Sequence, residues 1–265
     1  MSTILTPPYA LPMSLEEARL QIKSDGTEDD ELTLGGVRSA RDAAEHTTRH
    51  ILVATRLQQQ LCAFPANGCA IKLERRPVLE LLAVQYVDSA GATQSLTVAD
   101  LQVVNDGEFT LVAPAPGSSW PSTRAQLAAV TLTYLAGHAA PISADTAANT
   151  ITPRGWKALA VNDVVRFSNS GGALPAPLQA ETDYHVLTVS GAGACTLAAT
   201  QGGTEIDITT TGTGQSYLGE VPAAIKSWMR LRLGALDQHR EEAAVKLEPL
   251  PYIDRLLDPF RAYGF

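Results

Sequence analysis

The sequence predicts an α+β protein: helices packed on a small antiparallel sheet, a C-terminal helix and tail, and a small all-β domain inserted between them. Three observations carry this expectation. Helical periodicity occupies the first fifty or so residues, and a series of about six or seven short strand patterns separated by turn signals follows. Helical spacing then returns at Pro222, after a Thr-, Ala- and Gly-rich stretch. The expected divisions are residues 1–138 and 220–265 as the two parts of a core, and 139–219 as the insert.

Thr6-Pro7-Pro8-Tyr9-Ala10-Leu11-Pro12 reads as an extended arm, because proline fixes φ and removes a backbone donor. Ser14 opens a short helix over 14–23, with Glu17 three residues later in a capping-box pattern and Leu15, Ala18 and Ile22 on one face. After Asp25-Gly26, Thr27 is the expected N-cap of a long helix running to about His50. Glu28, Asp29, Asp30 and Glu31 crowd its first turn, where the helix dipole favours acids and no metal need be invoked. Leu34, Val37, Ala40, Ala44, Thr48 and Ile51 recur at steps of three and four, opposite a charged face of Arg38, Asp42, Glu45 and Arg49. Gly35-Gly36 inside this run costs about 1 kcal/mol per glycine relative to alanine.

From Ile51 the period falls to two. Residues 51–57 and 69–73 flank Pro65-Ala66-Asn67-Gly68 and are expected to pair as a hairpin, with Cys62 and Cys69 as small buried thiols beside its turn. Val78–Val87 turns through Asp88-Ser89-Ala90-Gly91 into 92–96, and 101–104 pairs with 108–112 across Asn105-Asp106-Gly107. Residues 125–134 are expected to close the sheet. In the insert, glycine-rich turns separate strand candidates at 163–167, 183–189, 195–198 and 205–209. Both ends of the insert meet at one loop, so it is expected to project outward without disturbing the core. Pro222 is a first-turn proline, and Ile225, Trp228, Met229, Leu233 and Leu236 form the stripe of the last long helix. Beyond Pro249 and Pro251 the tail carries Tyr252, Ile253, Leu256, Leu257, Phe260, Tyr263 and Phe265. Such an apolar tail either docks on its own domain or reaches a partner.

Composition narrows the function. The net charge is -8 and no Lys/Arg block occurs, which disfavours a protein that wraps DNA but suits a channel wall past which DNA slides. The first thirteen residues hold three prolines and no basic start, unlike a signal peptide, and no apolar run approaches the roughly 18 residues of a membrane span. His46 and His50 stand at i, i+4, a zinc-binding spacing, but without HExxH they read as two solvent-facing histidines. His138, His185 and His239 are scattered without evident partners, and neither a G-x-S-x-G elbow nor a Walker A sequence is present. Arg75-Arg76-Pro77 reads as protection of a strand edge. Asp163 and Asp183 are candidate carboxylates for a hydrolase, yet nothing in the sequence places them together. No enzyme activity, metal or cofactor is expected.

Several passages, in order, resemble the head–tail connector adaptor family of tailed bacteriophages. They are Ser14-Leu15-Glu16-Glu17-Ala18, Asp29-Asp30-Glu31-Leu32, Arg76-Pro77-Val78-Leu79, and Val84-Gln85-Tyr86-Val87-Asp88-Ser89-Ala90-Gly91. Val130-Thr131-Leu132-Thr133-Tyr134-Leu135-Ala136-Gly137, Val221-Pro222-Ala223-Ala224-Ile225-Lys226 and Leu256-Leu257-Asp258-Pro259-Phe260-Arg261 continue the series. The insert departs from the family pattern and is similar to short β modules of phage tail and fibre proteins. The resemblance implies a structural protein of the virion neck, made in the host cytoplasm, and no membrane partner. It implies a ring of about twelve copies under the portal protein that extends the DNA channel, lets DNA pass without sequence-specific contact, and docks a stopper or tail-completion protein. On that footing Tyr252, Ile253, Leu256, Leu257, Phe260, Tyr263 and Phe265 are the expected portal anchors. Arg38, Arg41, Glu45, Arg49, Trp228 and Arg232 are the expected ring contacts. The alternative expectation is a phage decoration or adhesion protein whose β insert binds a capsid or host-surface ligand.

Overall fold

A computed structural model of the chain describes residues 2–24, 26–106, 109–191, 193–238 and 251–261. The fold is α+β, as the sequence predicts: a helical layer, a pair of facing sheets and a curled β module, each with its own hydrophobic cluster.

The helical layer comprises α1 (Leu15–Ile22), α2 (Asp30–Thr48), α3 (Ala223–Gln238) and α4 (Pro251–Asp254), the last running into a 3-10 turn at Arg255–Phe260. Ser14 caps α1 by accepting the Glu17 N–H at 3.1 Å. The reciprocal half of the capping box is diverted. The Glu17 carboxylate takes the Ser170 hydroxyl and the Arg230 guanidinium, and the Ser14 N–H donates to Ser170 Oγ at 2.7 Å. Helix α2 begins at Asp30 and not beside Thr27; Arg19 of α1 grips the Asp30 carboxylate, its Nε 2.8 Å from Oδ1, and so ties the two helix ends together. Thr33, Val37, Ala40, Ala44 and Thr48 form the buried face of α2. The glycine that weakens this helix has a packing reason: a Cβ on Gly36 would stand 2.7 Å from Leu233 Cδ1, so its absence lets α3 approach.

Five antiparallel strands make the larger of the two facing sheets, in the order β1 (Ser2–Thr6), β2 (Thr55–Leu61), β8 (Val130–Ala136), β4 (Val78–Val87), β5 (Thr93–Leu96). Over it lies a three-stranded sheet, β3 (Ile71–Leu73), β7 (Thr110–Pro114), β6 (Leu101–Asn105). Leu57, Leu81, Val84, Leu132 and Tyr134 of the first meet Ile71, Leu73 and Val112 of the second in one core. The expected β4–β5 and β6–β7 hairpins form. The hairpin expected across Pro65–Gly68 does not. Both edges of β2 are taken by β1 and β8, so β3 pairs with β7 in the other sheet. Cys62 and Cys69 are consequently exposed rather than buried; Cys195 is buried, which pushes its thiol up to about 11. Strand β8, expected to close the sheet, is its middle strand, and β1 is a strand that the proline-rich arm concealed.

Residues 139–219 build a seven-stranded sheet in the order β11 (Val164–Val165), β13 (Tyr184–Val189), β14 (Cys195–Ala198), β10 (Thr150–Pro153), β9 (Ala139–Asp145), β15 (Gln215–Gly219), β12 (Phe167–Ser170). Its two outermost strands, β11 and β12, are consecutive in the chain across Arg166, so the sheet curls into a nearly closed barrel. Ile151, Val186, Leu197, Ile208 and Leu218 fill it. The expected strand at 205–209 is reduced to a single bridge between Glu205 and Ala198. Entry and exit do lie side by side, Ala139 opposite Gly219. The barrel nevertheless does not simply project: Tyr217 donates its hydroxyl proton to the Leu11 carbonyl, Ser170 contacts the α1 cap, and Ala139 and Tyr217 belong to the helical cluster.

Candidate assembly surfaces

The three layers meet at residues 50–54. Ile51 N–H donates to the Arg76 carbonyl at 2.7 Å, and Ala54 N–H to the Ala139 carbonyl at 2.7 Å. Successive side chains alternate as in a strand: Ile51 is buried in the sheet cluster and Leu52 in the helical cluster. The Glu45 carboxylate reaches past the end of α2 to accept the Leu52 N–H at 2.9 Å, and its burial raises its pKa. Arg75 and Arg76 serve this junction and not a strand edge: Arg75 Nη1 donates to the Glu45 carbonyl at 2.9 Å, Arg76 Nη2 to the Phe260 carbonyl at 2.6 Å.

His50 departs from the sequence reading. Helix α2 ends at Thr48 and Arg49 adopts φ 62°, which turns His50 inward onto His138, while His46 stays exposed. The rings lie nearly parallel and edge to edge, with centroids 4.9 Å apart and Nδ1 of His50 2.6 Å from Nε2 of His138, and Phe260 meets His50 edge-on. At that distance one nitrogen donates and the other accepts, which requires a neutral ring on the accepting side. Burial, then the neighbouring charge of His138 and Arg76, pushes His50 down to about 3; burial and Arg76 push His138 down to about 4. Since both folded values lie below the unfolded one of about 6.5, the unfolded chain binds more protons between them. Stability from this pair is therefore full above pH 6.5 and drains as pH falls towards 4. Glu45, raised by burial, works in the opposite sense near its own ordinary range. A thermal melt series from pH 7 to pH 4.5 is expected to fall more steeply for the wild type than for a His50→Asn, His138→Asn double variant; parallel series would contradict the pair's role.

The tail folds back on this junction. Asp254 accepts from Trp228 Nε1 at 3.0 Å, Leu257 is 0% exposed, and Ile253, Leu256 and Phe260 pack on the same cluster. Of the expected portal anchors, these four lie against the chain's own helices; Tyr263 and Phe265, and the side chain of Tyr252, lie outside the described residues. Of the expected ring contacts, Arg38, Arg49 and Arg232 are exposed. Arg41 is half-buried against Asp42, Glu45 is spent on Leu52, and Trp228 is 6% exposed under the tail. Asp163 and Asp183 bind separate partners, Ala160 N–H at 3.0 Å and the Arg166 guanidinium, as structural carboxylates do. Among the described residues no group of three or more His, Cys, Asp or Glu stands ready to hold a metal ion, and no helix is long and apolar enough to cross a membrane.

No family model and no curated protein matches the sequence. The fold is similar to solved chains of gene transfer agent particles. One is from the virion of the native particle, with TM-score 0.57 and 15% identity over 100% of this chain and 97% of that one. Others are from the neck of the empty particle, computed with C6 symmetry (TM-score 0.58, 15% identity), and the neck of the native particle, computed with C12 symmetry (TM-score 0.56, 14% identity). Each covers 100% of this chain and 97% of the solved one. These alignments run end to end and so include residues 139–219. At such identity the likeness is one of fold.

Proposed function

We propose that this chain is a structural neck protein of a phage-like particle, an adaptor that assembles as a ring beneath the portal, continues the DNA channel and receives the next neck or tail protein. The observation that carries the reading is the end-to-end likeness to neck chains of gene transfer agent particles, computed with C6 and C12 symmetry. The ordered passages that resemble the connector family point the same way, as does the acidic charge of -8, which keeps a channel wall from binding DNA tightly. The chain acts as a scaffold and not as an enzyme. In this reading 139–219 is a folded unit set into the core, and the exposed Arg38, Arg49 and Arg232 contribute to contacts between copies.

The portal contact falls to the C-terminal segment, with a division of labour. Leu256, Leu257 and Phe260 anchor the segment to its own helices, and the residues after Arg261, including Tyr263 and Phe265, reach the portal protein. Ending the chain at Arg261 is expected to leave folding intact and to reduce co-sedimentation with portal rings at least tenfold. Undiminished co-sedimentation would remove the segment from the portal contact.

A further inference from the structure

We propose that neighbouring copies join by strand addition, the outer edge of β1 in one copy pairing with the outer edge of β6 in the next. The inference rests on the ring reading and names its interface.

Strands β1 and β6 are alike in an uncommon way. Each is a five-residue edge strand bonded on one side only, β1 to β2 and β6 to β7. Each shows two consecutive apolar side chains to solvent: Ile4 and Leu5, the latter at a register shift in β1, are 51% and 44% exposed, and Val103 and Val104 of the regular β6 are 42% and 54%. Neither contains a charge or a proline, two of the devices that normally keep an edge from pairing, and the one register shift in β1 falls at its end, between Ile4 and Thr6, leaving Ser2–Ile4 regular. The other edges of these two sheets differ. Gln59 covers β3, donating to the Lys72 carbonyl at 2.9 Å and accepting the Glu74 N–H at 3.0 Å. Strand β5 has four residues, three of them polar.

The two edges also lie on opposite flanks. Strand β3 sits by the β1–β2 side, where the Ser2 N–H donates to the Glu74 carboxylate at 2.8 Å. Strand β6 leaves β5 through a short turn, Val98–Asp100, packed on β4. A partner of another kind would need one such edge. Two unlike edges on opposite sides of one chain are what a head-to-tail contact requires, and such contacts close into rings when the rotation allows. Backbone bonding supplies the pairing, and the exposed Ile4, Leu5, Val103 and Val104 are covered by it.

The test uses two full-length variants, Ile4→Lys with Leu5→Lys, and Val103→Lys with Val104→Lys, at positions whose exposure spares the fold. Mass photometry of the wild type should show rings, and each variant alone should show the 28.1 kDa monomer. Mixed, each variant keeps one good edge, so a one-to-one dimer of about twice the 28.1 kDa chain mass should appear. A second measurement is independent of the lysines: Leu5→Cys with Val104→Cys, in a Cys62→Ser, Cys69→Ser background, should oxidise to a ladder of covalent multimers. Rings that persist in either lysine variant, a mixture that stays monomeric, or the lack of a ladder would overturn the interface while leaving the ring reading in place. A wild type that never forms rings would reject both.

Discussion

Replacing Gly137 with alanine is expected to cost the chain more than about 3 kcal/mol, a large part of the 5–15 kcal/mol that holds a typical domain folded. Gly137 has φ +152°, and a Cβ there would stand 2.5 Å from both the Cα and the N of Ala54 and 2.9 Å from the Val53 carbonyl carbon. These are backbone atoms, which no rotamer change can move aside. They belong to the strip that joins the layers: Gly137 N–H donates to the Pro77 carbonyl at 2.9 Å, and Ala54 N–H to the Ala139 carbonyl at 2.7 Å. Relief of the clash must therefore open the seam between sheet, helices and barrel. Gly117 is the control, with φ +83° and nothing within 4 Å of a built Cβ; its alanine variant should lose only about 1 kcal/mol of backbone preference. Urea denaturation of the two variants measures the difference. Equal midpoints would show that the seam is softer than its geometry implies.

Truncating Leu257 to alanine is expected to destabilise the chain by about 3 kcal/mol and lower Tm by roughly 6–12 °C. Leu257 is 0% exposed and shares a cluster with Trp228, Met229 and Leu233 of α3. Its removal leaves a cavity where the tail covers the helical layer and strains the neighbouring Trp228–Asp254 bond. The same contacts mean that deleting 249–265 outright uncovers the core, so that deletion cannot separate folding from attachment. Ending the chain at Arg261 can. A calorimetric melt in which Leu257→Ala matches the wild type would show that the tail is not part of the folded core.

Local structure was largely legible in the sequence, and choice of partner was not. The Ser14 cap, the Val37–Ala40–Ala44 stripe and the β4–β5 and β6–β7 hairpins follow from spacing alone, because each depends on residues a few positions apart. The destination of β2 does not, since its alternation serves any neighbouring strand equally well and only tertiary packing selects β1 and β8. The histidine pair was hidden for a like reason: 88 residues separate His50 from His138, and the left-handed Arg49 that turns His50 inward has no glycine to announce it. Glu17 shows a local rule overridden. Its sequence position promised a reciprocal capping box, but a carboxylate with a guanidinium and a hydroxyl in reach binds those instead. For the tail, composition left both outcomes open, docking at home or on a partner, and the structure places Ile253, Leu256, Leu257 and Phe260 at home.

The most direct test of the neck-adaptor account is negative-stain imaging with mass photometry, on the purified chain alone and after addition of the portal protein from the same source. The account predicts rings with a central hole, free or seated coaxially on the portal. A chain that stays a 28.1 kDa monomer and ignores the portal in both conditions would contradict it, and the barrel of residues 139–219 would then be searched for a capsid or host-surface ligand.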